Sequence, residues 1–343
     1  MEFVMHAPAV SKQMTAGRLQ FSVGEEVWPL HKPFRISRGT RTEARVIMVT
    51  ITDGKHTGRG EAVPSKRYNE TIASASAQLK PLFANGEQLD RTNLQKLLPP
   101  GAARNALDCA LWDFDAKRSG QRVWELANIP VVNETETAFT ISLDTPEKMA
   151  ADAKVNSGAP ILKLKLGGDN LDLARVQMVR KKAPDARMLI DANESWSPSH
   201  YSQIVSELAR LGVDLIEQPF PAGQDESLES LDHPIPVCAD ESCHTTADLP
   251  RLTKRYEAIN VKLDKTGGLT EALRLTDRAR QLGFKILFGC MVCTSLGIAP
   301  ARLLVRAGDH VDLDGPLLVA RDRPNGLHYE NGRIGLPSPE LWG

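Results

Sequence analysis

No run of apolar residues in this 343-residue chain approaches the roughly 20 that a membrane-crossing helix needs, so no membrane partner is expected. Cysteine is scarce. Cys109, Cys238, Cys243, Cys290 and Cys293 are the full set, and an odd number placed inside predicted elements suits reduced thiols in a cytoplasm better than a disulfide framework. Charge of one sign is also missing: the formal net charge is -1. A nucleic-acid partner would normally require a basic face, so none is expected. The opening MEFVMHAPAVSKQM has neither the basic start nor the continuous apolar core of a secretion signal, and residues 1–16 read as a loose leader. Cys290 and Cys293 have CxxC spacing in FGCMVCTS. A redox pair normally opens a helix in a thioredoxin-like unit, and that surround is absent, so the pair reads as small residues ending a strand.

The length suits a barrel of roughly 250 residues plus a smaller domain. Residues 17 to about 130 read as strands, then helices. RLQFSVGEEVWPL and ARVIMVTIT are strand-like, while NETIASASAQLKPLF and GAARNALDCALWDFDAKRSG carry apolar residues at helical spacing. That order predicts an α+β domain over 1–130. From about 131 to 319 strands and helices alternate. The strands are TAFTISL, ILKLKLG, RMLIDAN, DLIEQP, PVCADES, AINVKLDKTGG, KILFGCM and DHVDLDGP. Eight such units predict a closed parallel barrel, a modified TIM barrel of the α/β class. Residues 320–343 carry no helix pattern and are expected to pack back on the first domain.

Three carboxylates fall at the C-terminal tips of successive strands: Asp191 in RMLIDAN, Glu217 in DLIEQPF and Asp240 in PVCADES. A parallel barrel brings such tips to one mouth, where three hard oxygen ligands favour Mg²⁺, or Mn²⁺, over zinc. Side chains alternate across a strand, so Lys163 and Lys165 of ILKLKLG share a face. In AINVKLDKTGG, Asn260, Lys262 and Asp264 share one, and Lys262 points where Lys163 and Lys165 point. Lys265 falls out of phase at the mouth and is an alternative base. Strands two and six of an eight-stranded barrel lie opposite, so Lys165 and Lys262 would approach a bound molecule from opposite faces. A proton α to a carboxylate is very weakly acidic; a divalent cation on the carboxylate and a lysine of lowered pKa would make its removal feasible. Lys163 beside Lys165 could supply that lowering.

KLK, IDANESW, IEQPF, ADES and NVKLDKTGGLTEA together resemble the enolase superfamily in its muconate-lactonizing subgroup. The likeness covers nearly the whole chain, including the ARNALDCALWDF helix, and motif by motif it is nearest the L-Ala-D/L-Glu dipeptide epimerases. The resemblance implies a capping α+β domain, a (β/α)7β barrel, one Mg²⁺ and a 1,1-proton transfer. It implies Asp191, Glu217 and Asp240 as metal ligands, Lys165 and Lys262 as the acid/base pair, and Lys163 as the tuning partner.

Within that subgroup the dipeptide epimerases carry a D-x-D at the end of the eighth strand, matched here by Asp312 and Asp314. Two carboxylates on one face could grip an α-ammonium group. Arg38, in HKPFRISRGTRTEARV, lies where the family's capping loop reaches over the site and could pair with a side-chain carboxylate; Arg41 and Arg35 are alternatives. Gly267-Gly268 before a helix reads equally as a phosphate cradle or a tight turn. The expected activity is dipeptide epimerisation. The rivals are an N-acylamino-acid racemase, a lyase or cycloisomerase on the same scaffold such as o-succinylbenzoate synthase, and a non-catalytic binding barrel. A homo-oligomer is compatible with this reading, and the sequence does not fix the oligomeric state.

Overall fold

The computed structural model describes residues 19–83 and 89–343; the leader expected over 1–16 lies outside the described residues. Strands β1 (Gln20–Ile36) and β2 (Gly39–Thr52) form a long antiparallel ribbon, and β3 (Thr57–Ala62) pairs with β2. The ribbon turns at Ser37-Arg38. The segment carrying Arg38 is therefore the tip of a hairpin. Ile47, Val49 and Ile51 recur with period two on β2 and are fully buried, together with Ala106, Leu107, Ala110 and Phe114 of the helix Ala102–Ser119. The helix comes so close that a Cβ on Gly60 would strike Ala106 O. Glycine is what allows that approach.

After β4 (Glu134–Glu136) come eight parallel strands: β5 (Phe139–Ile141), β6 (Ile161–Lys165), β7 (Arg187–Asp191), β8 (Val213–Glu217), β9 (Val237–Ala239), β10 (Ala258–Val261), β11 (Lys285–Gly289) and β12 (His310–Asp312). Neighbours in sequence are neighbours in the sheet. The seam between first and last strands is closed where Ala138 N donates to Val311 O (2.8 Å) and Leu313 N to Thr137 Oγ1 (2.9 Å). All eight expected strands are present and the barrel is closed. The alternation with helices is looser than expected: a 3₁₀ turn (Glu226–Glu229) follows β8 and a four-residue helix (Leu249–Leu252) follows β9.

The inward face of each strand changes character along its length. Ala138, just before β5, and Ile161, Leu189, Leu215, Cys238, Ala258 and Leu287, one from each of β6 to β11, form an apolar layer that plugs the N-terminal end. Two residues on, still inward by the period of two, stand Lys163, Asp191, Glu217, Asp240, Asn260 and Gly289. Outward-facing Leu162, Leu164, Ile190 and Ile216 pack under the helices. A dry plug beneath a charged layer thus places the chemistry at the C-terminal mouth.

Beyond β12 the chain leaves the barrel. Val319 bridges Leu30, and Ala320 N donates to Pro29 O (2.7 Å). Strands β13 (Tyr329–Glu330) and β14 (Arg333–Gly335) form an antiparallel sheet with β4. The C-terminal end reaches the long helix: Trp342 Nε1 donates to Cys109 O (3.1 Å) and Gly343 N to Asp113 Oδ1 (2.6 Å). Gly267 and Gly268, both at positive φ, take the tight turn; a Cβ on Gly268 would meet Asp108 Cβ at 2.5 Å. The close approach of the helix Ala102–Ser119 explains that pair without a phosphate.

Candidate active site

A cavity of about 750 Å³ opens between the hairpin tip and the barrel mouth. Lys165, Lys262, Asp240, Asp312 and Asp314 line it from the barrel, and Phe34, Arg38, Arg41 and Tyr68 from above. Asp191, Glu217 and Lys163 form its floor, each at most 1% exposed.

The charged groups alternate in sign. Lys165 Nζ donates to Asp191 Oδ2 (2.5 Å), and Lys163 Nζ to Asp312 Oδ2 (2.6 Å). Lys163 also stands 2.6 Å from Glu217 Oε2 and 3.6 Å from Asp191 Oδ2. Lys262 Nζ donates to Asp240 Oδ2 (2.6 Å) and lies 3.6 Å from Glu217 Oε1. Asn260 Nδ2 donates to Glu217 Oε1 (2.7 Å). The missing side chain of Gly289 makes room for that amide, since a Cβ would meet Asn260 Oδ1 at 2.5 Å.

Burial and neighbours set the charges. Burial pushes the Asp191 carboxyl up, but Lys165 and Lys163 outweigh it and bring it down to about 2. Asp240 is held well below the usual carboxylate range: Lys262 and Lys265 overcome its burial. Glu217 is raised, by burial and then by Asp191. Burial opposes the charge on Lys163, yet Asp312, Glu217 and Asp191 hold the ammonium well above the ordinary lysine range. Lys262 is raised likewise, with Asp240 and Glu217 outweighing burial. At Lys163 and Lys262 the carboxylates therefore dominate over burial and over like charge. Burial and then Asp312 push Asp314 up to about 7.

Among the described residues no three His, Cys, Asp or Glu side chains stand as a ready-made metal cage; ammonium groups occupy the inward oxygens of the three expected ligands. The donor chemistry nevertheless fits a hard cation. Glu217 Oε2 and Asp240 Oδ1 are buried without a hydrogen-bond partner, their nearest ammonium groups, 2.6 and 2.7 Å away, standing off the hydrogen-bonding directions. Buried, anionic, incompletely satisfied oxygens suit Mg²⁺ or Mn²⁺.

Two sequence expectations need correction. Strand β10 ends at Val261, and Leu263–Thr266 form a helical turn. The period changes there, so Asp264 does not share the face of Asn260 and Lys262. It accepts instead from Val63 N (2.8 Å) and Asn105 Nδ2 (3.0 Å) of the N-terminal region. Lys265 is not at the mouth. Its Nζ is buried against the carbonyls of Asp240, Cys243 and Asn260, and it borders a smaller cavity of about 400 Å³.

Arg38 reaches the mouth already engaged. It donates to Asn193 O (2.7 Å), and pairs with Glu194 Oε2 (3.0 Å) and Glu241 Oε1 (2.6 Å). Arg67 grips Glu194 bidentately, at 2.6 Å to each oxygen. Arg41 lines the cavity, and no carboxylate of the described residues stands within ion-pair distance of it. Arg35 caps its strand against Ser142 Oγ and Thr40 and does not line the cavity. Asn260 and Gln218 lie inside sequence motifs but had no role of their own there. Gln218 Oε1 accepts from Asp240 N (2.9 Å) and Ser242 N (3.1 Å), fixing the loop that bears Asp240. Asn193, Glu194 and Gln218 all have positive φ just after the strands that end in Asp191 and Glu217, and such strain gathers where geometry is over-determined. Their only sequence signal was adjacency to Asp191 and Glu217. Cys290 and Cys293 are free thiols.

A capped parallel barrel with clustered carboxylates between two opposed lysines defines a class of enzyme-like sites built to move a proton at carbon. Residues 18–127 match the mandelate racemase / muconate lactonizing enzyme N-terminal domain, and residues 147–339 match the enolase C-terminal domain-like family. The chain belongs to this enolase-like, mandelate racemase/muconate lactonizing enzyme family. It is 47% identical, over 92% of its length and 98% of the relative's, to an L-Ala-D/L-Glu epimerase of Escherichia coli K12. It is 44% identical, over 87% and 95%, to an N-acetyl-D-glutamate racemase of a Pseudoalteromonas species. A solved enolase family member from Agrobacterium tumefaciens, with homology to dipeptide epimerases and bound sodium and L-Ala-L-Glu, superposes with a TM-score of 0.93 at 48% identity, over 95% of this chain and all of that one. Solved dipeptide epimerases at 27% to 31% identity are complexed with Mg and a dipeptide.

Proposed function

We propose that this protein is an isomerase, a dipeptide epimerase that inverts the α-carbon of the second residue in L-Ala-D/L-Glu-type dipeptides by a 1,1-proton transfer. The observation that carries the reading is the pair Lys165 and Lys262, from the second and sixth barrel strands, both lining one cavity above Asp191, Glu217 and Asp240. Asp191, Glu217 and Asp240 would hold one Mg²⁺, with Mn²⁺ as a substitute. A divalent cation bound there supplies Lewis acidity toward the substrate carboxylate, lowering the cost of charge that develops when the α-proton leaves.

The chain's own groups do the rest. One lysine takes the α-proton from one face, and the other delivers a proton to the opposite face. Which lysine begins depends on the epimer. The base must be neutral, so the ammonium–carboxylate pairs at Asp191 and Asp240 must loosen before it acts. Lys163 stays charged in the floor, between Glu217 and Asp312, and keeps a positive field beneath the reacting carboxylate. Asp312 and Asp314 receive the dipeptide's ammonium. Asp314 is the freer of the two: its Oδ2 accepts from Thr140 N (2.7 Å), whereas Asp312 holds the Lys163 ammonium. Arg38 faces the side-chain carboxylate across the hairpin tip; Arg41 is the alternative, as the neighbouring cavity cation without a carboxylate partner. The described residues up to 130, with the 320–343 tail against them, form the capping domain, and 131–319 the catalytic barrel. The five free thiols support a cytoplasmic place, and the substrate class suits turnover of cell-wall peptides.

A second reading, racemisation of an N-acylated amino acid, draws on the Pseudoalteromonas relative. An N-acyl group offers no ammonium to Asp312 and Asp314, which disfavours it. The experiment is a dipeptide library incubated in D₂O with mass detection and chiral separation. Ala-Glu dipeptides should gain one α-deuteron and equilibrate between epimers. Exchange confined to N-acylated amino acids, or absent throughout, would overturn the proposal.

A further inference from the structure

Asp240 stands one residue past the end of a short strand. Strand β9 is three residues long, and after Asp240 the chain runs without an α-helix to Leu249. A carboxylate on such a loop needs a fastener if its oxygens are to hold one place. Lys265 is placed to be that fastener. The helical turn Leu263–Thr266 sends Lys262 toward the cavity and Lys265, three residues on, to the far side of the same carboxylate.

The Lys265 ammonium has three protons, and three backbone carbonyls take them: Asp240 O, Cys243 O (2.8 Å) and Asn260 O (3.0 Å). Two of those carbonyls belong to the Asp240 loop and the third to β10. Its side chain has no exposure, and Asp240 Oδ1 lies 2.7 Å from it. That oxygen has no hydrogen bond in good geometry, so it feels the positive charge yet keeps its lone pairs. A group whose donors are all committed to carbonyls, and which does not line the substrate cavity, cannot reach a substrate proton.

We infer that Lys265 is a positioning residue for the cation site. Its ammonium pins the Asp240 loop to β10 and orients the Asp240 carboxylate for a divalent cation, while taking no part in proton transfer. The inference rests on the reading that Asp240 is a cation ligand.

The test is Mn²⁺ binding to the full chain, followed by electron paramagnetic resonance in the absence of any dipeptide, with wild type, Asp240→Asn and Lys265→Met compared. Groups that orient metal ligands typically contribute on the order of 10- to 100-fold in metal affinity. Lys265→Met should weaken Mn²⁺ by that factor, and α-proton exchange should return at saturating Mn²⁺ because Lys165 and Lys262 remain. If Asp240→Asn weakens Mn²⁺ and Lys265→Met does not, this inference alone fails. Exchange still lost in Lys265→Met at saturating Mn²⁺ would make Lys265 a base and overturn it too. If Asp240→Asn leaves affinity unchanged, the cation reading itself falls and takes the inference with it. Should Lys265→Met not fold, Lys265→Gln, which keeps two donors, is measured the same way. Failure of both to fold would assign Lys265 to folding and overturn the inference.

Discussion

Asp314 is the residue on which the substrate reading can be tested most sharply. Asp312 shares its charge with Lys163, so replacing it disturbs the floor of the site. Asp314 is paired with no lysine among the described residues; Thr140 holds it, its N donating to Asp314 Oδ2 (2.7 Å). If it holds the dipeptide's ammonium, Asp314→Asn removes one charge-assisted hydrogen bond. Such bonds contribute roughly 1.5–3 kcal/mol, or about a 10- to 150-fold loss in kcat/KM. Burial and the neighbouring Asp312 place the Asp314 carboxyl at about 7. Only its ionised form pairs with an ammonium. For a free dipeptide, kcat/KM should therefore rise with pH, by about tenfold from pH 6 to 8 if the carboxyl titrates alone. It should fall again as the substrate's own α-amino group, with a pKa of roughly 7.7–8.0, loses its proton. N-acetylation of the dipeptide should cost wild type a loss comparable to that of Asp314→Asn, and should cost the variant little more. The assay is α-proton exchange in D₂O over a pH series, in a cycle of enzyme variant against substrate modification. Equal turnover of free and N-acetyl dipeptides by wild type would refute the clamp. So would an ascending limb near pH 7 that survives in Asp314→Asn.

Further outcomes follow from the same geometry. Lys165→Ala or Lys262→Ala should each stop net epimerisation, while one variant retains solvent exchange of one epimer; wild-type epimerisation rates in both would dismiss the two-base scheme. Excess chelator, or Asp240→Asn, should abolish turnover, and full activity under either condition would remove the metal from the mechanism. Arg38→Met should reduce turnover of Ala-Glu far more than of a dipeptide with an apolar second residue, in steady-state kinetics on both. If Arg41→Met has that selective effect and Arg38→Met does not, the carboxylate belongs to the unpaired arginine. Gly268→Ala should lower the melting temperature, because the added Cβ meets Asp108 at 2.5 Å on a backbone with φ of 113°; an unchanged melting temperature would mean that the helix contact yields.

The site was legible in the sequence wherever a strand's period of two ran to its end. Lys163 and Lys165 share a face because β6 extends through Lys165, and Asp191 and Glu217 close β7 and β8 at the same level. One residue past such an end the period is lost. The alternation of AINV does not run through Asp264, because the backbone turns helical at Leu263, so Asp264 faces the long N-terminal helix and Lys265 is buried behind Asp240. Partners across long stretches of sequence were beyond reach in another way. Nothing near Arg38 announces that Glu241, 203 residues away, will claim it. Asn260 and Gln218 carry no motif of their own; they matter because a short strand end leaves a carboxylate or a loop that must be held.

The balance of charge in the pit explains why the proton on Asp314 decides more than net charge does. Asp191, Glu217, Asp240 and Asp312 stand against Lys163, Lys165, Lys262 and Lys265, in contact with one another. The four negative and four positive groups cancel, as buried ions must for their desolvation to be tolerable. A base made neutral for proton transfer removes one of those positive charges, so the balance shifts by one with the step itself and net charge does not choose between substrates. An Ala-Glu dipeptide brings an ammonium, which an ionised Asp314 receives. An N-acylated glutamate brings none, and a protonated Asp314 spares it a like-charge neighbour. They differ in the state they demand of one buried carboxyl that stands near the midpoint of its titration at neutral pH, and that difference is what a pH series on the two substrates would read.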